Sequence, residues 1–308
     1  YLKKVVPPVL VCFSDPDSRV RYYACESLYN IVKVARGTII EYFNDLFDGV
    51  CNLSADRDPN VKDGALMLDR LVQDVVAESD TIDMQTFVPL LCGRLKEDNP
   101  FVRQFLIGWI LMLEKHDSVL GIELIKFLPE FLGGLFNYTS DPNWEIRQQV
   151  GTALEALLRN IHSHPDVDLR HMVPILVEYC GSNDDNTTMT AIRWIENFVE
   201  LGRERLLEQY ADILAAILPC TAHSGSLIAD ASFEINKALL TVANETDAHF
   251  EIERVCTTLA RLLNDEKVNT RLAVSVSMWF TMLHEKMPDK LFGHPEVMTQ
   301  TSRHAQYF

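Results

Sequence analysis

A turn signature recurs along this chain at nearly constant spacing and constrains the fold more than any other feature. An aspartate or asparagine followed by proline occurs about every 42 residues, at Asp15-Pro16, Asp58-Pro59, Asn99-Pro100 and Asp141-Pro142. Proline has a fixed φ that suits the first position of a helix, and the residue before it suits the capping position. The spacing therefore predicts that a helix begins at each of these prolines.

The segment after each turn carries apolar residues on one helical face. After the first turn these residues stand at offsets of 4, 8 and 11, as Val20, Ala24, Leu28 and Ile31. Such offsets line one side of a helix. The same anchor position recurs at Val20, Val61, Val102, Ile146, Thr187, Leu227 and roughly Thr270. A period near 41 residues, with a helix on each side of a turn, is typical of HEAT and armadillo repeats.

We therefore predict an all-α fold, a right-handed α-solenoid of HEAT/armadillo-type helical hairpins. Residues 1–292 are expected to form about seven repeats, at approximately 1–37, 38–79, 80–120, 121–164, 165–202, 203–245 and 246–292. Residues 293–308 lose the periodicity and are predicted to be a partial repeat or a tail. Because the chain opens at Tyr1 within an apolar helix, without a polar capping repeat, we expect a fragment of a longer protein.

Charged residues repeat with the turns. An acidic residue stands six positions before a basic one in five pairs, Asp15/Arg21, Asp56/Lys62, Glu97/Arg103, Asp141/Arg147 and Asp265/Arg271. In HEAT repeats such pairs form a ladder of charge-assisted hydrogen bonds that links successive turns. The pattern lapses where Thr188 and Ile228 take the basic position, so we expect looser geometry in the fifth and sixth repeats.

Composition excludes several classes of ligand. The formal net charge is −16, from 28 Lys and Arg against 44 Asp and Glu. A chain this acidic lacks the cations that neutralise phosphates, so no nucleic-acid partner is expected and membrane contact is expected to be indirect. The seven cysteines stand singly without a C-x-x-C pair, which is typical of reduced cysteines in the cytoplasm.

The sequence offers no catalytic constellation. Phosphate-binding loops and the G-x-S-x-G motif are absent, and we predict no catalytic, cofactor-binding or metal-binding residues. His162, His164 and His171 have no partner at metal-ligand spacing. What remains is an exposed row of second-helix side chains, the usual binding surface of a solenoid. The candidate partner-binding residues on it are Arg19, Tyr22, Glu26, Lys33 and Arg70.

Several segments are more specific than a generic repeat. They are DPDSRVRYYACESLYNIVKVARG at 15–37, FNDLFDG at 43–49, DPNVK at 58–62, LDRL at 68–71, VRQF at 102–105, Trp109-Ile110 and LPE at 128–130. Together they closely resemble the vacuole-morphology scaffold family also called ArPIKfyve. The resemblance is strong over residues 1–160, weaker but continuous to 292, and absent from the last 16 residues.

This resemblance implies a function that periodicity alone does not. Such scaffolds assemble and activate a PIKfyve-type lipid kinase, together with a Sac-domain phosphoinositide phosphatase, on endosome, lysosome or vacuole membranes. The kinase converts phosphatidylinositol 3-phosphate to the 3,5-bisphosphate. In the family the amino-terminal HEAT array contacts the kinase, whereas a carboxy-terminal region, which this chain is expected to lack, forms homo-oligomers and engages the phosphatase.

Two other readings remain open at this point. The chain could be a different HEAT adaptor, either a protein phosphatase scaffold or a nuclear transport factor, which binding to a phosphatase catalytic subunit or a Ran-type GTPase would reveal. A HEAT-fold enzyme is the third, and bound iron or excision of a DNA base would reveal it.

Overall fold

The computed structural model describes residues 1–79, 82–114, 119–246, 251–263 and 270–286. These residues form fifteen α-helices and contain no β-strand. The prediction of an all-α fold built from helical hairpins is therefore confirmed.

The helices follow one another as short first helices and longer second helices. Their bounds are α1 Leu2–Val11, α2 Ser18–Ala35, α3 Phe43–Ser54, α4 Pro59–Ala77, α5 Met84–Arg94, α6 Pro100–Glu114, α7 Val119–Lys126, α8 Leu128–Asn137, α9 Trp144–Ser163, α10 Val173–Cys180, α11 Asp185–Gly202, α12 Tyr210–Cys220, α13 Ser226–Glu245, α14 Ile252–Leu263 and α15 Thr270–Lys286. Single 3-10 helices occupy Cys12–Ser14, Arg36–Tyr42, Tyr138–Ser140 and Arg203–Gln209.

Contacts divide the chain into two compact units, Tyr1–Val167 and Asp168–Phe308. In the first unit the second helices pack in the order α2, α4, α6 and α9, and first helices α1, α3, α5 and α8 pack beside them. In the second unit α11, α13 and α15 form one row, and α10, α12 and α14 form the other. The division of residues 1–292 into seven repeats of one array stays a prediction. Residues 293–308 lie outside the described residues.

Aspartate or asparagine caps four of the second helices in the first unit, but not always at the predicted residue. Asp58 caps α4, which begins at Pro59, and Asn99 caps α6, which begins at Pro100, as the turn signature predicts. The signature is wrong for α2 and α9, whose N-caps are Asp17 and Asn143, two residues after the predicted Asp15 and Asp141. Asp15 and Asp141 lie in the turn itself, where their carboxylates bind backbone N–H groups instead.

The predicted apolar stripe forms the core, with local corrections. Val61, Val102, Ile146 and Thr187 are buried. Three anchors are wrong. Val20 is 37% exposed, Leu227 is 76% exposed, and Thr270 is also exposed. In α2 the buried face runs through Ala24, Cys25, Leu28 and Val32 rather than Ile31. In α13 the first buried residue is Ile228, one position beyond the predicted Leu227.

The tryptophans predicted to be core residues are buried. Trp109, Trp194 and Trp279 are each no more than 2% exposed. Trp109 of α6 lies in a cluster of rings with Phe43 and Phe47 of α3, at centroid distances of 5.4 and 5.5 Å. Phe87 of α5 completes the cluster, 4.9 Å from Phe47 in an edge-to-face arrangement. Such pairs contribute beyond the burial of their area, so this cluster joins the second and third hairpins.

A buried carboxyl group supports the indole of Trp109 from the neighbouring helix. Asp69 of α4 is 8% exposed. Its Oδ1 accepts a hydrogen bond from Trp109 Nε1 at 2.8 Å, and its Oδ2 accepts one from Gln73 at 2.9 Å. Burial raises the pKa of Asp69 to about 7 despite both hydrogen bonds. In the second unit the neutral amide of Asn236 plays the same part, since its Oδ1 accepts from Trp279 Nε1 at 2.7 Å.

The ring cluster predicts a large effect of Trp109→Ala. Removing a buried indole leaves a cavity between α3, α4 and α6, and we expect a loss of about 3–5 kcal/mol in the free energy of unfolding. Because repeats couple mainly to their neighbours, the thermal transition followed by circular dichroism should broaden as well as shift. Trp144→Ala removes an indole that is 61% exposed and serves as the matched control. An unshifted, sharp transition for Trp109→Ala would contradict the assigned packing.

The raised pKa of Asp69 predicts a stability that falls with increasing pH. Between the ordinary aspartate pKa near 3.9 and the folded-state value of about 7, the folded state binds more protons than the unfolded state. Stability from this group is therefore complete at low pH and is lost as the pH rises through 7. Asp69→Asn should remove this dependence while keeping an acceptor for Trp109. Urea unfolding at pH 5 and 8 should show the variant more stable than the wild type at pH 8, by at most about 4 kcal/mol, and a gain that is equal at both pH values would contradict the assignment.

Candidate partner-binding face

The turns of the first unit are linked by charged pairs that connect one repeat to the next. Arg21 of α2 donates from Nε and Nη2 to the two carboxylate oxygens of Asp56 at 2.7 and 2.9 Å. The same side chain donates from Nη1 to the backbone oxygen of Asp15 at 2.7 Å. The structure thus brings Asp15 and Arg21 together through the backbone oxygen, and the carboxylate partner of Arg21 belongs to the following turn.

The next complete link lies two repeats along. Arg103 of α6 donates from Nη1 to the carboxylate of Asp141, and from Nε to the backbone oxygen of Glu97 at 3.3 Å. Arg147 of α9 makes the same kind of bond to the backbone of its own turn, since its Nη1 donates to the backbone oxygen of Asp141 at 2.6 Å. Bidentate and charge-assisted bonds of this kind fix relative position as well as adding stability.

The predicted role of Lys62 is not what the geometry shows. The Lys62 ammonium lies 3.7 Å from the centroid of the Phe101 ring, a cation–π contact. The carboxylate of Glu97 instead accepts from Nη1 of Arg94 at the end of α5. Arg94 also donates to Asp48 of α3 from Nε and Nη2, at 2.8 and 2.6 Å. Sequence reasoning missed Arg94, although its position three residues before Glu97 was a usable signal.

The residues at the ladder positions of the second unit make different contacts from those of the first unit. Arg271 contacts Asp230, with Nη1 to Oδ1 at 3.3 Å on the surface, and its predicted partner Asp265 lies outside the described residues. Thr188, which occupies a basic position of the pattern, still donates from its hydroxyl to the oxygen of Ser182 at 3.2 Å. The hydrogen bond from the second helix to the backbone oxygen of its own turn is therefore made there by an uncharged side chain.

The acidic positions of the ladder also hold the turns. In three turns a carboxylate Oδ1 accepts the backbone N–H two residues further on, at 2.7 to 2.9 Å, in the pairs Asp15 with Asp17, Asp56 with Asp58, and Asp141 with Asn143. The hydroxyl of Ser182 and the ring nitrogen of His223 accept the equivalent N–H at 3.2 and 3.0 Å. This local bond explains why a polar side chain recurs at the position even where the charge is lost.

The five candidate partner-binding residues lie on the outward side of α2 and α4. Arg19, Glu26, Lys33 and Arg70 are exposed. Tyr22 is 36% exposed, and its ring lies over Gly64, where an added Cβ would meet the ring carbons at 3.5 and 3.6 Å. Arg19 is held by Asp17 through a 2.8 Å ion pair. Their binding role stays a prediction.

Sequence reasoning missed the apolar residues on this outward side. Leu66 and Met67 of α4 are 49% and 62% exposed, and Phe101 of α6 is 47% exposed. We call the four side chains Tyr22, Leu66, Met67 and Phe101 the apolar ridge. A signal was available, because Met67 follows the predicted outward residue Glu26 by one period of 41 residues.

The opposite side of the first unit carries two clefts, both bordered by α3. One has a volume of 570 Å³ and is lined by Leu10, Val11 and Phe13 from the first hairpin and by Asp45 and Asp48, among others. The second has a volume of 480 Å³ and shares Asn44 and Asp45 with the first. Gly49 allows the Phe13 ring to pack at the cleft floor, since a Cβ there would lie 2.6 Å from the ring.

The chemistry of the described residues is that of a packed core. Cys25 is 1% exposed, and burial raises the pKa of its thiol to about 12, which suppresses the nucleophilic thiolate. In the described ranges no group of three or more His, Cys, Asp or Glu side chains is placed to hold a metal ion. None of the described helices is both long and apolar enough to cross a membrane.

Paired helices joined by charged turns, with an exposed row on the second helices, define a helical-repeat protein. Residues 1–74 match the family model of the vacuolar 14 Fab1-binding region. "Protein VAC14 homolog" of Arabidopsis thaliana is 47% identical over 286 residues, which cover 93% of this chain and 38% of that protein. "Vacuole morphology and inheritance protein 14" of Saccharomyces cerevisiae is 37% identical over 199 residues, which cover 52% of this chain and 22% of that protein.

The chain is similar to the VAC14 proteins over most of its own length, and it spans 38% of the length of the Arabidopsis relative. Among solved structures, the designed armadillo repeat protein YIII(Dq)4CqI matches 76% of this chain and 99% of its own at 14% sequence identity. The TM-score of that match is 0.38.

The link between Arg21 and Asp56 predicts a large effect of Arg21→Met. The Asp56 side chain is only 7% exposed. Burial by itself raises its pKa, but hydrogen bonds from Arg21 and from the Asp58 N–H outweigh burial and hold the pKa below its ordinary value. Removing the guanidinium leaves a buried, unpaired carboxylate, and we expect a loss of about 2–4 kcal/mol in stability at pH 7.

The same variant carries a pH signature. A lowered pKa contributes stability above the ordinary aspartate value, near 3.9, and that stability is lost as the pH falls through the folded-state pKa. The difference between wild type and Arg21→Met, measured by urea unfolding, should therefore shrink below about pH 4. Arg19→Met removes an exposed arginine of the same helix and should leave unfolding unchanged. Equal effects of the two variants would show that the turn link does not stabilise the unit.

Proposed function

We propose that this chain is the kinase-binding part of a non-catalytic scaffold that assembles and activates a Fab1/PIKfyve-type lipid kinase. The observation that carries the proposal is the match of residues 1–74 to a region described as Fab1-binding. The 47% identity to a VAC14 homolog over 93% of this chain supports it. The kinase would make phosphatidylinositol 3,5-bisphosphate from phosphatidylinositol 3-phosphate, and the chain itself would supply position rather than chemistry.

The arrangement of the side chains supports a holding role. Within the part of the chain that the structure describes, the carboxyl group with the most raised pKa, Asp69, is committed to Trp109 and Gln73 inside the core. Arg21 and Arg103 are committed to the turns. These three polar groups are therefore engaged in the core and in the turns, whereas exposed side chains of the second helices remain available to a partner.

A Sac-type phosphatase and self-association complete the proposed assembly. We assign both to other parts of the longer relatives, of which this chain covers 38% and 22% in the two cases above. The resemblance to the scaffold family motivates this assignment, and the residues of this chain do not carry it.

The proposed site of action is the vacuolar or endolysosomal membrane. The name of the yeast relative refers to vacuole morphology. A net charge of −16 opposes direct binding to an anionic leaflet, which attracts clusters of Lys and Arg. Recruitment would therefore occur through the kinase, not through a lipid contact of this chain.

Co-purification tests the proposal. The tagged chain, mixed with a Fab1/PIKfyve-type kinase, should retain the kinase on affinity resin through a wash at physiological salt. A Ran-type GTPase and a protein phosphatase catalytic subunit serve as controls for the other classes of HEAT adaptor, and neither should be retained. Circular dichroism of the same sample verifies that the chain is folded. A folded chain that never retains the kinase would refute the proposed function.

A further inference from the structure

The apolar ridge crosses three consecutive second helices of the first unit. Tyr22 lies on α2, Leu66 and Met67 lie on α4, and Phe101 lies at the start of α6. Their exposed fractions run from 36% to 62%. Scattered single exposed apolar residues are normal on any protein surface, but four on adjoining helices form a patch of the kind that marks interaction sites.

Side chains of the two neighbouring helices lie against α4, which carries Leu66 and Met67. The Tyr22 ring lies over Gly64 of α4, so α2 and α4 approach closely at this point. On the other side of α4, the Lys62 ammonium covers one part of the Phe101 ring, 3.7 Å from its centroid. Helices α2 and α4 pack together, as do α4 and α6. The Tyr22 and Phe101 rings therefore lie against α4 itself, the helix that carries Leu66 and Met67.

The ridge is distinct from the other exposed apolar residues of α2. Val20 and Val34 are 37% and 87% exposed, but helical spacing places them about 100° or more around the axis from Tyr22. Tyr22 faces Gly64 of α4, so Val20 and Val34 lie on the side of α2 turned away from α4. Like Tyr22, Leu66 and Met67, these two valines lie within residues 1–74, the span of the family model. They occupy a different face of the first unit.

The base under the ridge is fixed. Arg21 precedes Tyr22 and is bonded to Asp56, and Leu68 follows Met67 and is fully buried. A preorganised surface loses little conformational freedom on binding. Methionine adapts to the shape of a partner, and aromatic residues and methionine are enriched in interfaces while Lys and Glu are depleted.

We propose that the apolar ridge is the surface that contacts the kinase, and that the kinase segment seated on it buries aliphatic or aromatic side chains against Leu66 and Met67. This inference rests on the proposed function. The kinase is the occupant because three of the four ridge residues fall within residues 1–74, the span that matches the Fab1-binding region. Arg19, Lys33 and Arg70 flank the ridge among acidic residues such as Glu26, so the rim offers both signs of charge to the partner.

A pair of matched double variants of the whole chain separates the two faces. Leu66→Ser with Met67→Ser removes two apolar side chains from the ridge, and Val20→Ser with Val34→Ser removes two from the other face of α2. We expect the ridge variant to retain at least tenfold less kinase than the wild type, and the control variant to retain as much as the wild type. Thermal unfolding of all three proteins should coincide, because all four positions are exposed.

A photo-reactive amino acid gives a readout that does not depend on weakened binding. Placed at position 67 it should cross-link to the kinase on irradiation, whereas at position 34 it should not. Sedimentation of the isolated chain tests a different occupant: a self-association that the ridge variant abolishes would mean that the ridge joins two copies, and would overturn the proposal.

The outcomes distinguish this inference from the function beneath it. If the wild type retains the kinase and the ridge variant retains it equally, the face is wrong and the scaffold function stands. If the folded wild type retains no kinase, the proposed function itself fails.

Discussion

The contact between successive second helices is the interaction on which the first unit depends. A single hairpin is too thin to bury both of its faces, so α2 must cover α4, and α4 must cover α6. Gly64 lets α2 and α4 approach, since a Cβ there would lie 3.3 Å from the Cβ of Cys25. Arg21, bonded both to its own turn and to Asp56, then fixes how far one hairpin slides along the next. Apolar burial supplies the stability, and the turn link sets the register.

Two buried tryptophans donate their indole N–H to acceptors of different kinds, an amide in one unit and a carboxyl group in the other. Each indole N–H must find an acceptor once it is buried. Asn236 supplies a neutral oxygen to Trp279, while Asp69 supplies a carboxyl oxygen to Trp109. The amide costs nothing in ionisation, whereas the carboxyl group must either keep a proton or carry a charge into an apolar site. The consequence is that the core packing of the first unit is linked to pH near neutrality, through the raised pKa of Asp69 beside the ring cluster of α3, α5 and α6.

Sequence periodicity predicts the hairpins well because a helix that buries one face must repeat its apolar residues at helical spacing. It fails where a tertiary contact decides. Capping at Asp17 rather than Asp15 depends on the length of the turn, which the Asp-Pro signal does not encode. Lys62 matches the ladder pattern, yet Arg94 reaches Glu97 from the first helix and carries several donors. Arg36 and Arg203 adopt φ of 48° and 40°, in a region that favours glycine, at the ends of α2 and α11. Arg36 forms an ion pair with Glu78 at 3.6 Å, and Arg203 forms one with Glu245 at 3.0 Å, in each case 42 residues further along the chain. The spacing of apolar residues cannot predict these ion pairs.

The candidate face follows from the same distinction between what a repeat requires and what it leaves free. The most exposed positions of a second helix contribute little to the packing between hairpins, so packing places little demand on their chemistry. The charged residues Glu26, Lys33 and Arg70 are exposed there and are well solvated. Leu66 and Met67 are poorly solvated at such positions, because an exposed apolar side chain orders water around it without stabilising the fold. The free energy of burying such side chains, roughly 25 cal/mol for each Å² of apolar surface, is therefore still available to a partner. A surface that is apolar, rigid and fixed in register by its turns can release that energy on binding with little loss of conformational entropy, which is the property that a scaffold needs.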